Sequence, residues 1–185
     1  SADHYASATF INCHNSGAVG MEGVVETEGA KISTVQPAIG GVVARLCPYR
    51  QIATDINNIS YCTNSGKIYI KNIKSSGYII VGGIVGYNQE RSVSVSNLDN
   101  CSNSGELSVE NSAAKSGSSF AVGGIVGYSA DKECTFSGEF VNTGKITISG
   151  STGTDKTYIG GVLGFTNKPI SNAKSYCDIK AIGLE

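Results

Sequence analysis

Apolar and polar residues alternate in several short stretches of the chain. The clearest are residues 67–70 (Lys-Ile-Tyr-Ile), 106–109 (Glu-Leu-Ser-Val) and 145–148 (Lys-Ile-Thr-Ile). Alternation with β-branched residues is typical of a strand that buries one face, so this pattern predicts three half-buried strands. No stretch of ten or more residues shows a convincing helical period. The sequence therefore predicts an all-β fold.

A second pattern is a continuous apolar run that contains paired glycines and reads apolar-Gly-Gly-apolar-apolar-Gly-aromatic. Its copies are at residues 81–87, 122–128 and 159–165, with a degenerate first copy at residues 39–45. An unbroken apolar run suits a strand that is buried on both faces, so we expect one such strand per copy. A further strand is expected ahead of each Cys-containing turn, as at residues 51–54 and 92–95.

A turn motif, Cys-x-Asn-Ser-Gly, lies between these runs, and Phe140 replaces the Cys in its fourth copy. The last Gly of the motif falls at positions 17, 66, 105 and 144, in steps of 49, 39 and 39 residues. Such regular spacing is the signature of a repeat architecture. We predict one repeat domain over residues 1–183, with 184–185 as the remnant of a tag. Its units are expected at residues 10–48, 49–88, 89–129 and 130–166, with a partial unit at 167–183.

Three strands per unit predict one rung of a parallel β-solenoid with about four to five rungs, in which equivalent residues stack roughly 4.8 Å apart. Four columns of stacked residues are expected. The Cys column is Cys13, Cys62, Cys101 and Cys177, and the Asn column is Asn15, Asn64, Asn103 and Asn142. The Gly column is Gly83, Gly124 and Gly161, and the aromatic column is Tyr87, Tyr128 and Phe165, with Arg45 interrupting it in the first unit.

The paired-glycine runs, interleaved with Cys-x-Asn-Ser-Gly, resemble the GLUG-motif repeats of bacterial secreted and cell-surface proteins. The resemblance covers nearly the whole chain, from about residue 10 to residue 177. It implies a right-handed parallel β-helix in a secreted or cell-surface bacterial protein, acting as an adhesin-like, non-catalytic module beside other domains. The sequence departs from the pattern at Ala44 and Arg45, and in an insert at residues 21–31 that is a candidate cap.

The chain has six cysteines, and three interpretations are open for them. A column of buried thiols is favoured, because free Cys is among the most buried residue types. Disulfides are disfavoured, since Cβ atoms stacked near 4.8 Å exceed the usual span of about 3.5–4.5 Å. Zinc is weaker still, because there is no Cys-x-x-Cys. Titration in denaturant without reductant is expected to find at least four free thiols, and finding none would contradict the column.

Catalytic, cofactor and metal sites are not predicted. Cys13 and His14 are adjacent, but neighbours on a strand point to opposite faces. The paired glycines lack the Lys-Ser/Thr tail and the following helix of a phosphate-binding loop. Calcium-binding repeats carry Asp in each copy, whereas Asp99 and Asp178 have no counterparts in the other units.

Charge limits the partners that we expect. The chain has 14 Lys and Arg residues against 15 Asp and Glu, and without a basic patch nucleic-acid binding is not expected. The longest apolar run, residues 78–87, is too short for a membrane-spanning helix of about 20 residues. The expected partner is an unidentified surface ligand, a glycan or a protein.

Two functions remain open from the sequence. The first is a binding or adhesion module that can also act as a rigid spacer, and the second is an enzyme that cleaves polysaccharide. Three or more charged side chains converging in a groove would favour the enzyme, and isolated charges the binding module. Recognition is expected in the variable turns at residues 73–77, 111–119 and 149–156, while Tyr69, Tyr78 and Tyr158 are expected to be strand-packing residues outside the aromatic column.

Overall fold

The computed structural model describes residues 8–23, 36–46, 56–88, 95–130, 133–151 and 154–183. These residues form short strands and no helix. In chain order, the strands are β1 (Thr9–Ile11), β2 (His14–Asn15), β3 (Val19–Glu22), β4 (Ala38–Gly40), β5 (Val43–Leu46), β6 (Ile56–Ser60), β7 (Thr63–Asn64), β8 (Ile68–Lys71), β9 (Ile79–Gly82), β10 (Val85–Asn88), β11 (Val95–Asn103), β12 (Leu107–Glu110), β13 (Ser119–Gly123), β14 (Val126–Ser129), β15 (Thr135–Asn142), β16 (Ile146–Ser149), β17 (Lys156–Gly160), β18 (Leu163–Thr166), β19 (Ala173–Ser175) and β20 (Ile179–Ile182).

The strands form four parallel sheets, and each sheet takes one strand from each successive rung. Sheet 1 has the order β1-β6-β11-β15-β19, with β2 and β7 paired beside it, and sheet 2 has the order β3-β8-β12-β16-β20. Sheet 3 has the order β4-β9-β13-β17, and sheet 4 has the order β5-β10-β14-β18. This stacking confirms the prediction of a parallel β-solenoid. Its right-handedness stays a prediction.

The alternating stretches form half-buried strands, as predicted. In β8, Ile68 and Ile70 are fully buried, whereas Tyr69 and Lys71 are partly exposed on the other face. The inward residues of sheets 2 and 3, such as Leu107 and Phe120, form one apolar core. The inward residues of sheets 1 and 4 form a second core. It includes Ile59, Leu98, Val85 and Val126.

The prediction of one strand per paired-glycine run is wrong. In the second unit the run divides into β9 and β10, and the chain bends between them at Gly83 and Ile84. Each run therefore contributes one strand to sheet 3 and one to sheet 4, and a full rung has four sides. The run is apolar along its length because it passes from one core to the other, with Val81 in the first and Val85 in the second.

The strands expected ahead of the turn motif lie largely outside the described part of the chain. Of residues 92–95, only Val95 is described, and it is the first residue of β11. Residues 51–54 lie outside the described part of the chain, and β6 starts after them, at Ile56. Met21 and Glu22, at the start of the candidate cap, belong instead to β3 and pair with β8. The rest of that insert also lies outside the described residues.

Candidate functional site

The Asn column runs through the centre of the solenoid as a ladder of amide hydrogen bonds. Asn15 Nδ2 donates to Asn64 Oδ1 over 2.7 Å, Asn64 donates to Asn103 over 2.7 Å, and Asn103 donates to Asn142 over 2.8 Å. The amide of Asn103 also bonds to the carbonyl and the N–H of Gly105. Since Asn64, Asn103 and Asn142 are at most 2% exposed, each bond replaces a water contact that burial removes.

The Gly column packs against this ladder. Together the two columns form the narrow centre of the cross-section, which we call the waist. A Cβ on Gly83 would lie 2.6 Å from Asn103 Cγ and would collide with the carbonyl oxygen of Gly124. Gly124 meets Asn142 and Gly161 in the same way. The two apolar cores are therefore separated by a thin polar wall, and glycine is required because any side chain would push the rungs apart.

The Cys column holds three of the four predicted residues. Cys62 and Cys101 are at most 1% exposed, and Cys13 packs against the same core. Burial raises the pKa of Cys101 to about 12 and also raises the pKa of Cys62. Both thiols therefore stay protonated near neutral pH, which makes them poor nucleophiles and poor metal ligands. Cys47 lies outside the described residues.

The prediction that Cys177 belongs to this column is wrong. Phe140 follows Cys101 in the register, and Ala173 follows Phe140. Ser175 then takes the position of the column Asn, opposite Asn142. Cys177 lies two residues further along and packs against the other core, with its Sγ 3.2 Å from Ser175 Oγ. The likeness of residues 175–177 to residues 60–62 is thus out of register by four positions, because the register aligns Cys62 with Ala173.

Cys13 and His14 do not form a catalytic pair. Cys13 faces the core, whereas His14 is exposed and its Nδ1 lies 2.6 Å from Thr63 Oγ1 on the neighbouring rung. The described residues contain no group of three or more His, Cys, Asp or Glu side chains placed to hold a metal ion. They also contain no helix with the length and apolarity needed to cross a bilayer.

The aromatic column is wider than predicted. Tyr87 contacts Tyr128 edge-on at a centroid distance of 5.5 Å, and Tyr128 stacks on Phe165 at 4.4 Å. Arg45 extends the column because its guanidinium lies 5.4 Å from the centroid of Tyr87. Tyr78 and Tyr158 are predicted to lie outside the column, but both contact it. The ring centroid of Tyr78 lies 5.2 Å from that of Tyr87, and the centroid of Tyr158 lies 4.9 Å from that of Phe165. The rings of this column and the two added Tyr rings are therefore packed mainly against one another.

The outer face of sheet 2 differs from rung to rung. The register aligns one outward position through all five strands, and its residues are Gly20, Tyr69, Ser108, Thr147 and Lys180. On one side of this column, Glu22, Lys71 and Glu110 are aligned. Lys71 forms an ion pair with Glu22 at 3.5 Å, and Lys67 forms one with Glu106 at 3.5 Å. These charged side chains alternate in sign along the axis.

A shallow pocket of ≈ 250 Å³ lies on this face, and we call it the Tyr69 pocket. It is lined by Glu22, Lys67, Tyr69, Lys71 and Glu110. The Tyr69 ring rests on the backbone of Gly20, where a Cβ would collide with it. Ser108, which is 1% exposed, donates its hydroxyl to Glu110 Oε1 over 2.8 Å at the edge of the pocket.

Sequence reasoning missed this pocket. Tyr69 is expected from its pattern to be a strand-packing residue, and recognition is expected in the turns. The informative signal comes from comparing the units. In the second unit the outward position holds Tyr69, with one Lys two residues before it and another two residues after it, whereas the next two strands hold Ser108 and Thr147 there. The pocket borders the variable turns, because Lys71 and Glu110 end their strands there.

One family model matches the chain. It is described as the GLUG motif and matches residues 77–110, which include the paired-glycine run of the second unit and the following turn motif. No curated protein and no solved structure matches the chain. The structure supplies a physical reason for the motif, since its glycines form the bend and the waist. Residues 77–110 thus match the GLUG motif, and they lie within a solenoid of stacked parallel strands.

Proposed function

We propose that this chain is a non-catalytic binding module of a bacterial secreted or cell-surface protein, and that it holds its ligand on the outer face of sheet 2. The observation that carries the proposal is the Tyr69 pocket, in which an aromatic ring and charged side chains interrupt a regular surface. Ligand sites commonly combine apolar surface with a few placed polar groups. The partner class is a glycan or a protein on another surface.

The rest of the solenoid supports a role in presentation. Each rung contacts its neighbours through parallel strands on four sides, and the Asn ladder ties the rungs together at the centre. Repetition of this kind builds an extended scaffold from nearest-neighbour contacts. Such a scaffold can also act as a rigid spacer between other domains.

A polysaccharide-cleaving enzyme is the second candidate, and one observation favours it. Four charged side chains, Glu22, Lys67, Lys71 and Glu110, converge on the Tyr69 pocket, which is the arrangement expected for acid–base chemistry. Against it, Glu22 is held in an ion pair with Lys71, and Glu110 accepts a hydrogen bond from Ser108. These contacts are typical of a solvated sheet face with alternating charge, so binding is the better supported function.

A glycan array with the purified domain tests the proposal, with a variant of the turn at residues 111–119 and a Tyr69→Ala variant run beside it. The proposal predicts specific binding that is lost in Tyr69→Ala. Bound glycans are then incubated with the protein and analysed for shortened products. Intact glycans support a binding module, and shortened products support the enzyme. Absence of binding to every glycan would contradict a glycan-binding function.

A further inference from the structure

We infer that the Tyr69 pocket binds one neutral pyranose ring, whose apolar face stacks on Tyr69 and whose hydroxyls bond to the surrounding Lys and Glu side chains. This inference rests on the proposed function and names the ligand class of the same site. It is carried by the position of the ring, by the donors and acceptors around it, and by the charge and size of the pocket.

Tyr69 has a free aromatic surface that the rings of the aromatic column lack. In the described part of the chain, Tyr69 contacts no other aromatic ring, whereas Tyr78, Tyr87, Tyr128 and Tyr158 pack on one another or on Phe165. One side of the Tyr69 ring is supported by the Gly20 backbone. An apolar ring supported from behind is a platform for a flat, partly apolar ligand.

Donors and acceptors surround this platform on several sides. Lys67, directly before β8, and Lys71, at the end of β8, are two residues before and after Tyr69, so they flank the ring on the same face. Glu22 and Glu110 lie on the neighbouring strands, opposite Lys71. Lys ammonium groups donate and carboxylates accept. A sugar hydroxyl can both donate and accept a hydrogen bond, so it can bond to either kind of side chain.

The charge of the lining points to a neutral ligand. Two Lys and two Glu line the pocket, so their formal charges cancel. A site for a polyanion would present an excess of Lys or Arg, and this pocket presents none. A neutral sugar needs no such field, because its affinity comes from stacking and hydrogen bonds.

The size and depth of the pocket limit the ligand to one ring. Its volume of ≈ 250 Å³ is below the roughly 300–1,000 Å³ of pockets that enclose drug-sized ligands.

The test is titration of the intact domain with the methyl β-glycosides of glucose, galactose, mannose and N-acetylglucosamine, followed by NMR. Methyl glucuronide is the anionic comparison. The variants are Tyr69→Ala, Tyr69→Phe and Tyr176→Ala, a matched removal of a Tyr side chain that is 70% exposed outside the pocket. Thermal unfolding of each variant checks that it is folded.

The inference predicts that at least one neutral glycoside binds the wild-type protein. Tyr69→Ala weakens binding by about tenfold, the loss expected for a removed aromatic platform, while Tyr69→Phe and Tyr176→Ala bind as the wild type does. Equal binding by the wild type and Tyr69→Ala would overturn this site but leave the proposed function. Tighter, salt-sensitive binding of the glucuronide would overturn the neutral class. No binding of any sugar would overturn the inference and would leave a protein as the partner in the proposed function.

Discussion

The waist of the solenoid and the outer face of sheet 2 share one strand register but use it in opposite ways. At the waist the same residue returns in each rung, as in Asn64, Asn103 and Asn142. On the outer face the aligned position changes from Tyr69 to Ser108 to Thr147. Stacking at strand spacing strengthens a column only when each residue can satisfy the next. Repeated columns therefore stabilise the fold, and a column that changes is available for recognition.

Replacement of the central ladder residue is expected to have the largest effect on this comparison. Asn103→Ala removes hydrogen bonds to Asn64, Asn142 and Gly105 and leaves their buried polar atoms without partners. Since each such atom costs about 1–3 kcal/mol, the free energy of unfolding is expected to fall by about 4 kcal/mol. Asn15→Ala, at the partly exposed end of the ladder, is the control and is expected to cost about 1 kcal/mol. Urea unfolding measures both, and equal losses would contradict the ladder as the central support.

The turn glycines offer a second contrast between matched positions. A Cβ on Gly105 would lie 2.7 Å from Asn64 Nδ2 and would collide with the Gly66 carbonyl, whereas at Gly17 the nearest atom is 3.8 Å away. Gly105→Ala is expected to lower the free energy of unfolding by about 3 kcal/mol, and Gly17→Ala by no more than about 0.5 kcal/mol. Denaturant unfolding of the two variants checks this. If Gly105→Ala is as stable as the wild type, the rungs are further apart than described.

The corners of the rungs predict a stabilising substitution. Tyr61 has a φ of 54°, and Asn12, Asn100 and Gly138 adopt similar left-handed conformations in the same corner. Asn accepts this conformation more readily than Tyr, which costs about 1–2 kcal/mol there. Tyr61→Asn is therefore expected to raise the Tm by about 3 °C. Tyr176→Asn, which has an exposed side chain and no positive φ, is the control and is expected to leave the Tm unchanged.

The smallest expected effect is on the charged outer face of sheet 2. Lys67 and Glu106 form an ion pair at 3.5 Å with side chains that are 46% and 40% exposed, and exposed pairs contribute about 0–1 kcal/mol. Glu106→Gln is expected to change the free energy of unfolding by less than about 0.5 kcal/mol. Lys71→Ala is expected to be equally small in stability yet to weaken sugar binding. A large loss of stability in either variant would mean that this face also supports the fold.

Much of the fold could be predicted from the sequence, because repetition makes each column visible. The spacing of Asn64, Asn103 and Asn142 is enough to place them at one level of successive rungs. The bend at Gly83 could not be predicted in this way, since a run that passes between two cores is as apolar as one buried strand. The last rung was misaligned because Ala173 and Ser175 no longer carry the Cys and Asn of the motif.

The candidate site was harder to predict for a related reason. Tyr69 does not recur in the other units, so the repeat pattern does not mark it as a functional residue. Its place in an alternating strand is equally consistent with a packing residue. Its neighbours Glu22 and Glu110 are 47 and 41 residues away in the sequence, and only the register brings them to its sides. Recognition sites on a solenoid are thus found by asking where a column stops repeating.

The most direct test of this account is a map of backbone amide shifts as a neutral methyl glycoside is added to the intact domain. The account predicts that the shifts concentrate on the outer face of sheet 2, at Gly20, Tyr69, Lys71 and Ser108, while Gly83, Gly124 and the Asn ladder stay unchanged. Shifts at the waist or along the aromatic column, with none around Tyr69, would contradict it.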